Sequence, residues 1–185
     1  MENARLATRE EMDSCLEEIR NSPRDAGKIE MIVRRPQPGE RDVVTSAVLD
    51  ADIGLVGDNW LARGSRHTPD GTADPAAQLT LMNARAIAAI TRGRDRWTLA
   101  GDQLFVDFDL SETHIPPGTR LQVGAALVEV SAAPHTGCKQ FAARFGVDAV
   151  KFVNSPVGKQ LHLRGINARI IRSGEVRVGD AIIKI

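Results

Sequence analysis

The chain has 185 residues, room for one domain with a sizeable core, and its 42% apolar and 26% charged content is that of a soluble globular protein. Its 24 basic and 24 acidic residues cancel, aromatic residues make up only 4%, and tyrosine is absent, which removes both the electrostatic and the base-stacking argument for a nucleic-acid partner. No apolar run reaches bilayer length, the N-terminus lacks the apolar segment of a secretory signal, and two distant cysteines make no disulfide framework, so the reading is no membrane and a cytoplasmic protein.

Thr8 followed by Glu11 matches a capping box, and Met12, Cys15, Leu16 and Ile19 form one stripe, predicting a helix over about 9–20. Asn21-Ser22-Pro23 ends it, giving an N-terminal helical extension over 1–27 and a β-rich domain over 28–185. Strands are predicted over 28–34 and 41–49, with Pro36-Gln37-Pro38-Gly39 as the turn between them. Gly54 and Gly57 mark a tight turn in which Asp58 and Asn59 satisfy nearby backbone groups, and 62–76 reads as a long loop. A strand over 78–82 runs into Asn83 as N-cap of a helix over 84–92, with Gly93 as its stop.

Beyond Gly93 the chain is mainly β. Strands are predicted over 103–109, 120–122, 125–132, 160–163, 167–172 and 181–185, with a hairpin at Gly174 joining Ile170-Ile171 to Val176–Val178. Many short strands with Gly and Pro punctuation argue for a β-barrel decorated by two or three helices, a mainly β fold of the α+β type.

Cys138 is the chemically informative residue. It follows the 125–132 strand and a Pro/Gly turn, at the start of a short helix, where unpaired backbone N–H groups favour a thiolate and Lys139 and His135 add positive charge. The opposite reading is equally open, because Cys138, Phe141, Ala142 and Phe145 share the spacing of an apolar helix face. Cys15, in mid-helix beside Glu17 and Glu18, reads as packing. The four histidines, His67, His114, His135 and His162, form no metal-binding pair, and His135 with Cys138 supplies too few ligands for a closed zinc site. Arg164 could hold a carboxylate or phosphate, or be an exposed charge at a strand end.

Several segments, in order, resemble the MOSC domain, the module named after the C-terminal domain of molybdenum cofactor sulfurases. They are Ile32-Val33-Arg34-Arg35-Pro36, Gly54-Leu55-Val56-Gly57-Asp58, Gln78–Asn83, Leu121–Val130, the Cys138 segment through Phe145-Gly146, Arg164–Arg169 and Gly174–Asp180. The resemblance implies a β-barrel whose characteristic cysteine is Cys138, binding a molybdenum–pterin cofactor and reducing N-hydroxylated compounds. Alternatively it implies a sulfur carrier accepting persulfide from a cysteine desulfurase, so that pyridoxal phosphate belongs to the partner, or a degenerate member that binds a small anion. The site residues it implies around Cys138 are Asp58, His67, His135, Lys139, Arg144 and Arg164, with a redox partner and a small-molecule substrate. The family's Pro-Arg-x-Pro-Cys pattern is here Pro134-His135-Thr136-Gly137-Cys138, so that arginine is missing.

Overall fold

The computed structural model describes residues 5–185. Helices α1 (Arg9–Ser14) and α2 (Leu16–Arg20) precede strands β1 (Ala26–Arg34), β2 (Asp42–Val44), β3 (Ser46–Asp50) and β4 (Gly54–Leu55). Helix α3 (Trp60–Arg63) and a 3₁₀ turn at Pro75–Ala77 lead to β5 (Leu79–Asn83), α4 (Ala84–Thr91), a 3₁₀ segment at Arg94–Ala100 and β6 (Leu104–Asp107). Next come β7 (Arg120–Val123), β8 (Ala126–Val130), α5 (Lys139–Phe145), α6 (Val147–Val153) and α7 (Pro156–Gln160), then β9 (Ile166–Arg172), β10 (Gly174–Arg177) and β11 (Ala181–Lys184). Among the described residues, no helix is long and apolar enough to cross a membrane.

Seven strands pair in the ring β1-β11-β7-β8-β9-β5-β6 and back to β1, a closed barrel, with β2 added along the end of β1. Closure leaves these strands without the free edges that invite aggregation. The β5–β6 pair is parallel, and parallel neighbours need a crossover, which α4 and the Arg94–Ala100 segment provide. Strand alternation then builds two cores at once. Ile32, Leu81, Leu104 and Val106 point into the barrel, while Met31, Val33, Met82 and Phe105 point outward under the helices. Met12 and Ile19 of α1 and α2 join this outer core with Phe141, Phe145 and Phe152 of α5 and α6.

The capping box is formed: Thr8 Oγ1 accepts from Glu11 N–H, and Glu11 Oε2 accepts from Thr8 N–H at 2.8 Å. Four other expectations shift. The 9–20 helix is broken at Cys15, whose N–H bonds to the Met12 carbonyl three residues back. Helix α4 stops on Arg92, which itself takes the left-handed conformation at φ 58°, one residue before Gly93. Residues 160–163 are the end of α7 and a turn, because Ser155 caps a helix that Pro156 opens. Gly174 makes no hairpin between β9 and β10, since β10 pairs with β3 in a separate sheet with β4. A side chain at Gly174 would meet the Ala125 carbonyl oxygen at 2.4 Å, so glycine is what lets the chain cross there.

Candidate functional site

Cys138 sits at the N-cap of α5, one residue ahead of the helix, and its thiol is exposed. Phe141 and Phe145 bury the apolar face, both 2% exposed and in edge contact at 4.8 Å between ring centroids. The spacing therefore describes the phenylalanines and leaves Cys138 outside the packing. Cys15 is half-buried against the outer core, its Sγ donating to the Glu11 carbonyl.

The irregular segment 131–137 that carries Cys138 is tied down by side chains. Ser131 Oγ donates to the Ala76 carbonyl, and Asn167 Nδ2 donates to the carbonyls of Ala133 and Pro134 at 3.1 and 3.3 Å. Asn154 exchanges two bonds with Gly137, accepting its N–H at 2.9 Å and donating to its carbonyl at 3.1 Å. These ties fix the backbone immediately before the thiol.

Cys138 lines a cavity of about 410 Å³ together with five arginines, Arg35, Arg41, Arg63, Arg144 and Arg164. Two of the five are neutralised. Arg35 grips the fully buried Asp58 with Nε and Nη2 at 2.8 and 2.9 Å, and Arg164 Nη1 donates to the fully buried Asp102 at 2.6 Å. Arg41, Arg63 and Arg144 form no ion pair among the described residues, so three guanidinium charges stand uncompensated. Partial burial and the nearby charges of Arg144 and Arg35 lower the pKa of Arg41, against the pull of Asp58. Arg63 is shifted the same way by desolvation and by Arg35. The cations are crowded, which is the electrostatic signature of an anion site.

Four consecutive backbone carbonyls hold four of these five arginines, all but Arg63, in place. Thr98 accepts from Arg41 Nε at 3.2 Å, Leu99 from Arg144 Nη1 at 2.6 Å, Ala100 from Arg164 Nη2 at 3.0 Å and Gly101 from Arg35 Nη1 at 3.0 Å. They sit at and just beyond the end of the Arg94–Ala100 segment, where helical carbonyls run out of backbone partners; Thr98 also accepts the Gly101 N–H at 3.3 Å. Carbonyls are neutral, so they order the guanidinium groups without cancelling their charge.

His135 lines the same cavity, with its side chain 12% exposed and Nε2 3.5 Å from Asp102 Oδ1. Burial and the Arg164 charge push its pKa down to about 4, against Asp102 and the Ile166 carbonyl, so the ring is neutral at pH 7. His135 Nδ1, Asp102 Oδ1 and Arg164 Nε all lack a hydrogen-bond partner. Each such buried group costs about 1–3 kcal/mol, so this wall of the cavity is not optimised for stability.

Of the residues expected from sequence, the structure brings together Cys138, His135, Arg144 and Arg164. Arg164 is not an exposed strand-end charge: it is 8% exposed, in the turn after α7, and stacks over Phe141. Asp58 lies behind Arg35 and supports it rather than lining the cavity, besides accepting the backbone N–H groups of Arg35 and Trp60. Lys139 is exposed and outside the lining, and His67 sits exposed in the loop after α3, also outside it. Arg35, Arg41, Arg63 and Asp102 were missed. Arg35 lies within Ile32-Val33-Arg34-Arg35-Pro36, one of the segments that carry the family resemblance, but nothing local ties it to Cys138. Among the described residues there is no cluster of three or more His, Cys, Asp or Glu that could hold a metal by protein ligands alone.

The model of the MOSC domain matches residues 69–183 of this chain. The chain belongs to the MOSC domain family. Solved structures agree on the fold of this MOSC protein. It is similar to the YuaD protein of Bacillus subtilis at 14% identity, covering 87% of this chain and 96% of that one with a TM-score of 0.57. It is similar also to YiiM of Escherichia coli, at 18% identity, 85% and 69% coverage and a TM-score of 0.55. YiiM of Geobacillus stearothermophilus gives 14% identity, 86% and 75% coverage and a TM-score of 0.54. No functionally curated protein matches this MOSC chain in sequence.

Proposed function

We propose that the arginine-lined cavity binds a molybdenum–pterin cofactor, with the Cys138 thiolate as the metal's protein ligand and the arginines holding the anionic phosphate. What supports this reading is one conjunction: an exposed thiol on a cavity with three uncompensated guanidinium groups. The donor set fits the group. A thiolate is a soft ligand, a single one suffices where an organic cofactor supplies the others, and arginine pairs phosphate bidentately. The cavity volume lies within the range of small-molecule sites. When bound, the group supplies two-electron chemistry, in keeping with the reduction of N-hydroxylated compounds that the family resemblance implies.

The chain's own residues have definite parts. The Asn154 and Asn167 ties set where the thiol stands, Arg41, Arg63 and Arg144 neutralise the incoming anion, and neutral His135 fills the place of the missing arginine without adding charge. Both cysteines are free, which suits the reducing cytoplasm, where this reading places the protein.

The test is molybdenum and pterin content of protein purified from a host that makes the cofactor. Stoichiometric metal in the wild type, lost in Cys138→Ser and reduced in Arg144→Ala, is the expected result. Well-folded wild-type protein without molybdenum overturns the proposal.

The exposure of Cys138 favours one second reading, a sulfur carrier. Its thiolate would attack the terminal sulfur of a persulfide on a pyridoxal-phosphate cysteine desulfurase, leaving the partner's thiol behind. Mass spectrometry after incubation with such an enzyme and cysteine would show one added sulfur atom on Cys138; an unmodified Cys138 counts against it.

A further inference from the structure

A second cavity, of about 540 Å³, shares His135, Arg164 and Asn167 with the arginine cavity but contains none of Arg35, Arg41, Arg63, Arg144 or Cys138. His135 lines both cavities, and Pro134 beside it lines only the second. The chemistry of the second cavity is different. Arg164 is already neutralised by Asp102, and the other charged residues of the lining, Lys159 and Glu112, carry opposite signs. No net charge is left to attract an anion. Val130, Ala132, Val153 and Ile166 supply an apolar wall.

His162 lines this cavity and has a backbone that side chains rarely adopt, with φ at 48°. Its ring is oriented as well. Nδ1 lies 2.7 Å from the Leu110 carbonyl oxygen, and a carbonyl can only accept, so in the neutral ring Nδ1 carries the proton. Nε2 is then a lone-pair acceptor. The bond to Leu110 thus fixes the tautomer and gives the neutral ring a defined acceptor at Nε2.

We propose that this second cavity is a binding site for a small neutral organic molecule with an apolar body and an N–H or O–H donor at its head, the donor meeting His162 Nε2. The body lies against Val130, Ala132, Val153 and Ile166. Because His135 and Arg164 belong to both walls, the occupant sits next to whatever anion fills the arginine cavity, yet its recognition does not depend on that anion's identity.

Benzamide and benzoate test this, being matched in size and shape while only benzamide is neutral and carries N–H donors. In ¹⁵N-resolved NMR titrations of the full chain, benzamide should shift the amides of Val130, Val153 and Ile166 with a dissociation constant of about 1 mM. Benzoate should bind at least about tenfold more weakly. His162→Asn tolerates positive φ and shortens the side chain; it should weaken benzamide about tenfold, while saturating inorganic phosphate, directed to the arginine cavity, should leave benzamide binding unchanged. Ala132→Phe provides a second variant, at the apolar wall, and should abolish binding by filling the space. No benzamide binding, preference for benzoate, competition by phosphate, or wild-type affinity in both variants would each overturn the proposal. None of these results depends on molybdenum, so the failure of this site and that of the cofactor reading are separable.

Discussion

Removing the Asp58 carboxylate should expose how much of the fold rests on the arginine cavity. That carboxylate is fully buried and accepts four hydrogen bonds, from the Arg35 N–H at 2.9 Å, Arg35 Nε at 2.8 Å, Arg35 Nη2 at 2.9 Å and the Trp60 N–H at 3.0 Å. Asp58→Ala leaves the Arg35 guanidinium, itself only 10% exposed in its side chain, without its counter-charge and close to Arg41 and Arg63. Breaking a buried pair from one side costs about 3–5 kcal/mol. For a chain of this size that is a fall in Tm of roughly 6–20 °C. Thermal unfolding and urea titration at unchanged m-value measure it. Replacing both partners, Asp58→Ala with Arg35→Met, should recover at least half the loss, because no buried charge is then stranded. A single-mutant cost under about 1 kcal/mol, or a double mutant no better than the single, would refute the reasoning.

His135 makes stability depend on pH. Its folded pKa is depressed from 6.5 to about 4, so the unfolded chain takes up a proton first. The contribution is complete above about pH 6.5 and is lost as pH falls toward 4, reaching about 3 kcal/mol at most; His135→Gln should flatten the pH–stability curve in that window, and an unchanged slope would contradict the assignment. Gly165→Ala should cost about 3 kcal/mol, since a Cβ there would stand 2.3 Å from the Leu81 carbonyl oxygen at φ 103°, whereas Gly39→Ala, also at positive φ but with nothing within 4 Å, should cost about 1 kcal/mol. Comparing the two by chemical denaturation checks that contact, rather than φ alone, sets the difference.

The barrel was legible because its signals are local. Asn83 caps α4 with its side chain accepting from Arg85 and Ala86, and the turn residues fall where strands end. What misled was pairing and context. Ile170 and Val176 flank Gly174 like a hairpin, and only the tertiary fold sends β10 to β3. Leu161-His162-Leu163 alternates like a strand, but the cap on Ser155 commits the chain to a helix just before it. At the site, Cys138 stood out as a rare residue at a recognisable junction. Arg41 and Arg63 had no such mark, since one surface arginine looks like any other until the fold shows which lack a carboxylate. Phe141 and Phe145 carried the helical periodicity that Cys138 only shares in number.

The run of carbonyls from Thr98 to Gly101 acts as a comb, each tooth holding an arginine from a different part of the chain. Because the teeth are adjacent along one stretch of backbone, the spacing of the positive charges is inherited from peptide geometry rather than from side-chain packing. Losing or adding one residue between Trp97, which is buried against Phe105, and Asp102 would move every tooth out of phase together. The cavity is tunable by exchanging individual arginines and intolerant of any change in the length of that one segment.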